Sequence, residues 1–180
     1  MTAEQQGQGR WMLAVGLVVV GALARLLPHP PNMTPLVAVA LFGGSVLPKG
    51  LGIVVPVLAI FASDLAIGLH DVMAFTWGSA SLTAMLGWWV RRRPRPGRIA
   101  CAAVLGSTLF FLVANFGVWL IDMIYPRTWP GLAACYVAAL PFFRNALIGD
   151  LAYTVFLFGF MRLAEVRFPT LREPTMVLAK

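Results

Sequence analysis

The sequence predicts an all-α polytopic membrane protein, a bundle of six transmembrane helices with both termini in the cytoplasm. Three observations carry this reading. Apolar residues make up 59% of the 180 residues and charged residues 12%, with a mean hydropathy of +0.81. Soluble domains hold about 45–50% apolar and about 25% charged residues. Six apolar segments approach the roughly 20 residues a helix needs to cross a bilayer. Finally, Arg91, Arg92, Arg93, Arg95 and Arg98 form one basic run between two of those segments, the pattern of a cytoplasmic loop under the positive-inside rule.

The segments follow in order. After a tail over residues 1–10, the first runs from Trp11 to Leu27 and is closed by Pro28-His29-Pro30-Pro31-Asn32, which cannot stay helical. Ala22-Leu23-Ala24 imitates a signal-peptide cleavage site. The apolar stretch nevertheless exceeds the usual 7–15 or so residues of such a peptide, so the segment is expected to remain as the first span. The second, Pro35 to Leu47, is short and stops at Pro48-Lys49-Gly50. The third, Leu51 to Leu69, contains Pro56 and carries Asp64 near its end. The fourth runs from Val72 to Val90, the fifth from Ile99 to Ile121, and the sixth from Asn145 to Leu163. Asp122 to Arg144 is expected to be a Pro- and aromatic-rich connection that dips back towards the membrane. The membrane domain therefore covers residues 11–163, and residues 164–180 form a cytoplasmic tail.

Orientation follows from the basic residues. A cytoplasmic amino terminus puts Arg10, Lys49, the five loop arginines, Arg162, Arg167, Arg172 and Lys180 inside, eleven of fourteen. Only Arg25, Arg127 and Arg144 fall at or near the outer side. The opposite orientation would translocate the arginine loop, which the rule disfavours.

The net charge of +7 does not indicate nucleic-acid binding, which needs its basic residues gathered on one exposed face. Cys101 and Cys135 fall at opposite ends of the fifth segment and cannot pair, and His29 and His70 have no second zinc ligand nearby. No P-loop, His-Glu-x-x-His or Gly-x-Ser-x-Gly motif occurs. An enzyme is therefore not the first expectation, and an intramembrane enzyme acting on lipid or on the bound cofactor stands as a third class. Uphill transport would draw its energy from a partner or a gradient.

Ionisable groups inside a bilayer are costly and usually mark function. Arg25, Asp64, Arg144 and Asp150, with Asn32, Asn115 and Asn145 beside them, all fall within about 10 Å of the expected outer face. They read as a charge-balanced cluster lining an outward cavity, or as two ion pairs, Arg25–Asp64 and Arg144–Asp150, fastening the bundle. The two readings are compatible. Trp77, beside Gly78 and Ser79, is a candidate pocket wall. Trp119, Tyr125, Trp129, Tyr136, Phe142 and Phe143 fit an interfacial aromatic belt as well as a pocket rim. His29, fixed between Pro28 and Pro30, is either a loop residue or a group aimed into the cavity.

Four strings are distinctive: Arg25-Leu26-Leu27-Pro28-His29-Pro30-Pro31-Asn32-Met33-Thr34-Pro35, Ser63-Asp64-Leu65, Asn115-Phe116-Gly117-Val118-Trp119 and Pro141-Phe142-Phe143-Arg144-Asn145. Together the chain resembles the substrate-binding S-components of energy-coupling-factor (ECF-type) vitamin transporters, above all the BtuM-like solitary cobalamin-uptake proteins. The resemblance implies a six-helix bundle of ECF S-component type in the bacterial inner membrane. Such a bundle binds a vitamin near the outer face, and the family's functional positions would fall on His29, Asp64 and Arg144. Cobalamin-binding members place a cysteine in the fourth helix. This chain has Thr76-Trp77-Gly78-Ser79-Ala80 there, so thiolate ligation is unsupported and His29 becomes the candidate axial ligand of cobalt. The Ala-x-x-x-Ala coupling face of the first helix is weakened to Ala14, Val18, Ala22. A transmembrane coupling protein with ATPases, or a solitary transporter, both fit that departure.

The expectation is thus a multi-pass transport protein that captures a vitamin-sized solute, with cobalamin or another corrinoid as the first candidate and other vitamins or modified nucleobases next. Its substrate-binding residues would be His29, Asn32, Asp64, Trp77, Asn115, Arg144 and Asp150, and it would carry no cofactor of its own and bind no nucleic acid. The alternative is a scaffold protein of an envelope complex that binds no small molecule.

Overall fold

The computed structural model describes residues 3–171. Arg172 and Lys180, counted above for orientation, lie outside the described residues. Six α-helices follow one another: α1 (Ala3–Leu23), α2 (Leu36–Val46), α3 (Lys49–Ile67), α4 (Met73–Arg92), α5 (Pro96–Ile121) and α6 (Trp129–Arg167). Short 3-10 turns cover Ala24–Leu26 and Pro169–Leu171. The described chain contains no strand.

α3, α5 and α6 are each long and apolar enough to cross a membrane. Leu58, Leu65, Leu82, Leu105, Leu112, Phe156 and Phe160 are exposed on the outside of the bundle. Water would not tolerate an apolar surface of this extent, whereas lipid chains match it. The chain is a membrane-embedded helical protein.

α2 is different. Every one of its eleven residues is buried, and it packs against all five other helices. At about 16 Å it is half the thickness of a bilayer's hydrocarbon core. It is therefore an axial pillar of the bundle. Close approach of the backbones makes this possible: a Cβ on Gly44 would collide with the backbone of Ala84, and one on Gly87 with that of Gly44 and Ser45. Small residues at helix crossings serve this purpose in membranes. The buried hydroxyls of α4 do not oppose burial, because Ser79 and Thr83 donate to the carbonyls of Phe75 and Ser79 (2.6 and 2.8 Å).

The stretch expected to be a connection, Asp122 to Arg144, is instead largely the first part of α6. Thr128 caps that helix by accepting from the Gly131 N–H, and Pro130 occupies its first turn, where a proline's missing N–H costs nothing. Pro141 lies inside the helix. α6 spans 39 residues, about 58 Å. Elsewhere, α1 begins eight residues before the predicted first segment, within the stretch expected to be a tail, and the other helix bounds differ from the predicted segments by a few residues. Asn32 holds φ at 60°, a left-handed conformation that asparagine accepts more readily than most residues, and this turns the chain from the end of α1 into α2.

Candidate functional site

The polar residues expected at one depth divide into two groups. The first joins the 3-10 turn after α1 to α3 and α4. Arg25 donates from Nη2 to Asp64 Oδ1 at 2.7 Å, and from Nη1 to the Ile60 carbonyl at 3.2 Å and to Ser63 Oγ. Trp77 Nε1 donates to Asp64 Oδ2 at 2.8 Å. Asp64 is 1% exposed, so both carboxylate oxygens are taken and neither is left for a solute. Trp77 also packs edge-on against Phe61, with ring centroids 5.3 Å apart. This network fastens three elements around one buried charge pair.

The second group lies where α5 and α6 meet the start of α2. Asp150 is buried and accepts from Ser107 Oγ at 2.8 Å. Its carboxylate lies against the backbone N–H groups of Val37 and Ala38 in the first turn of α2, the positive end of that helix. No side chain of α2 itself caps those amides. Oδ1 nevertheless closes no full hydrogen bond. The expected pairing of Arg144 with Asp150 is absent. Arg144 is exposed and makes no ion pair with a described residue, because α6 continues unbroken and six residues along it place the two on different faces.

Beside Asp150 lies a cavity of about 350 Å³, within the usual range of ligand sites although near its lower end. Phe110, Phe111, Phe142 and Phe143 wall it, Asn32 and Asn115 contribute amides, and Ser107 and Asp150 belong to its lining. Arg25 and His70 reach it as well. The rings are packed: Phe111 and Phe143 have centroids 4.6 Å apart, and Phe111 and Tyr136 5.5 Å. Asn115 donates to the Phe111 carbonyl at 2.7 Å, which leaves its amide oxygen as the accepting group. Asn145 donates to Pro31 O at 3.2 Å and Met33 lies against Gly149, so the proline-rich connection is held onto α6.

Of the seven expected binding residues, the cavity gathers Asn32, Asn115 and Asp150. Asp64 and Trp77 belong to the fastening network, and Arg144 stands outside both groups. His29 does not line the cavity. Its Nδ1 lies 3.0 Å from the Pro30 carbonyl and its Nε2 3.2 Å from that of Arg25, so both ring nitrogens are turned onto backbone oxygens. A metal ligand must present a free lone pair, and this placement does not. Among the described residues no cluster of three or more His, Cys, Asp or Glu forms a metal centre. Ser107, Phe110 and Phe111 were not singled out from the sequence. Their signal was the spacing Ser107, Phe110, Phe111, Ala114, Val118 along α5, one face of a helix.

The family described as "Family of unknown function (DUF6580)" matches residues 5–171. The chain belongs to the DUF6580 family. No curated protein and no solved structure matches it. The DUF6580 match runs from α1 to the last described residue, so the Arg25–Asp64–Trp77 network and the Asp150 cavity both lie in the region that defines the family.

Proposed function

We propose that this chain is a substrate-binding transport protein of the S-component kind, which captures a small solute in the Asp150 cavity and moves it inward. The single observation that carries this reading is the cavity itself. Four phenylalanine rings, two amides and a buried carboxylate converge on about 350 Å³, beside an ion-pair network that already fastens the bundle. A fastening role alone gives no reason for a second buried acid at the edge of a ring-walled space. Such a lining suits a flat, ring-bearing solute with an N–H donor or a positive charge for Asp150, as in many vitamins and nucleobases. A whole corrinoid is larger than the cavity and would enter only with the bundle opened.

The remaining features belong to the same proposal. The positive-inside rule orients the Arg91–Arg98 end towards the cytoplasm and the cavity towards the periplasm, with six passes and both termini inside. An ATPase-bearing coupling partner, or a gradient if the chain acts alone, would power inward movement.

The scaffold reading is favoured by one observation, the self-contained Arg25–Asp64–Trp77 network. Thermal unfolding in detergent against a panel of ring-bearing vitamins, nucleobases and cobalamin separates the two. A solute at 100 times its dissociation constant raises stability by about 2.7 kcal/mol. One panel member should do so for the wild type and lose its effect in Asp150→Asn. A panel in which no member shifts the transition supports the scaffold.

A further inference from the structure

The end of the bundle that carries the arginine run holds a second cavity, of about 650 Å³. It opens sideways between α5 and α6, where Ala100, Val155 and Gly159 of its lining lie exposed on the surface of the bundle. Gly159 accounts for much of the opening. Gly44 and Gly87 bring backbones into contact, as small residues usually do in membranes. A Cβ on Gly159 would meet nothing within 4 Å. Its missing side chain leaves a space that the described residues do not fill.

The wall of this groove is apolar. Val46, Ile99, Leu151, Val155, Phe158 and Met161 supply most of it. Of its two hydroxyl residues, Ser45 donates to the Phe42 carbonyl at 2.8 Å and Thr154 is 2% exposed. On α6 the lining recurs at Leu151, Val155, Phe158 and Arg162, one face of the helix. From Leu151 to Glu165 that face runs for about 21 Å, longer than the roughly 15 Å of hydrocarbon in one leaflet of a bilayer.

The far end of the groove is charged. Arg91 donates to the Leu47 carbonyl at 2.8 Å. Arg162 lies 3.5 Å from Glu165 with its side chain 69% exposed. Pro94 and Pro96 of the lining belong to the turn that carries the exposed Arg92, Arg93 and Arg95. One acid therefore stands among five arginines. Basic pockets between helices at a membrane surface suit anionic headgroups, and the planar fork of arginine suits phosphate. A second copy of the chain would bring its own arginines to this end, and like charges facing one another oppose association.

We propose that this groove binds one anionic phospholipid from the leaflet on the arginine side. An acyl chain lies along the α6 face from Phe158 to Leu151, and the phosphate sits among Arg91, Arg162 and the arginine-rich turn. The lipid closes the gap between α5 and α6. The site is separate from the Asp150 cavity and stands whether or not the chain transports a solute.

The test is native mass spectrometry of the delipidated protein in detergent, titrated with dioleoyl phosphatidylglycerol or with dioleoyl phosphatidylcholine, which carries the same acyl chains. Because several arginines act together, the wild type should retain one phosphatidylglycerol at a concentration about tenfold or more below that needed for phosphatidylcholine. Gly159→Leu places its side chain in the opening without a clash and in a residue that favours the helix, and it should abolish this retention. Ala100→Leu, from the exposed α5 wall, repeats the block should the first variant fold poorly. Gly78→Leu, equally open but outside the groove, should bind as the wild type does. Arg162→Gln should weaken phosphatidylglycerol about fivefold, the effect of one basic residue near an anionic surface, and leave phosphatidylcholine unchanged. Equal retention of the two lipids by the wild type, or phosphatidylglycerol held as tightly by both blocked variants, would overturn the proposal. A dimer mass that disappears in both blocked variants would make the groove a self-association face instead.

Discussion

Asp64 and Arg144 were indistinguishable in the sequence, since each is a charge at the edge of an apolar segment. The structure separates them by what they touch. Asp64 holds Arg25 and Trp77 with both oxygens, so Asp64→Asn leaves a buried guanidinium without its counter-charge. Breaking one partner of a buried pair costs about 3–5 kcal/mol. Arg144→Ala removes an exposed side chain with no ion pair to a described residue, and such changes stay within about 0.5 kcal/mol. Thermal unfolding of the two variants in one detergent should reproduce that contrast. Equal losses would contradict the assignment of Asp64 to fastening and of Arg144 to neither group. Pairing of Arg25 with Asp64 was legible because both charges had to find a partner at the same depth. The environment of Asp150 was not, because it is set by Ser107 and by the backbone amides of Val37 and Ala38 that lie against it, and a backbone amide carries no signature in a sequence.

At the level of elements, the apolar segments located the helices well and the prolines misled in one place. Pro56 falls inside a predicted span, whereas the Pro- and aromatic-rich composition of Asp122 to Arg144 predicts a connection where α6 in fact runs from Trp129. In a bilayer neighbouring groups can satisfy the carbonyl that a proline leaves unpaired, so a proline is weaker punctuation there than in water. That error hid the register of Arg144 against Asp150. α2 was recognised as short but not as the buried pillar, because an apolar run looks the same whether lipid or protein surrounds it. Its role makes a clear prediction. Gly44→Ala places a methyl group against the Ala84 backbone, and overpacking of this kind costs about 1–3 kcal/mol or more. Gly78→Ala, also helical but with open space around it, should be neutral or gain up to about 1 kcal/mol from helix propensity. Chemical denaturation of both variants checks this, and a tolerated Gly44→Ala would remove α2 from the centre of the bundle.

For the whole molecule, charge and cavity lie at opposite ends: Arg91 and Arg92 close α4, whereas Thr76 near its start lines the Asp150 cavity. Orientation therefore decides whether the cavity meets the outside. An impermeant thiol reagent added to intact cells should label Arg127→Cys, an exposed site between α5 and α6. It should reach Gly97→Cys, at the start of α5 in the arginine-rich turn, only after permeabilisation. The reverse pattern would invert the direction of transport.

The central claim is that the Asp150 cavity holds a solute, and native mass spectrometry of the gently purified protein tests it most directly. Cells grown with a mixture of vitamins and nucleobases would supply the ligand to wild type and to Ala146→Trp, whose indole takes up space in the cavity from its α6 wall. The account predicts one additional small-molecule mass on the wild type and none on Ala146→Trp, with both proteins folded. A wild type without bound mass, or the same mass retained by both proteins, would contradict it.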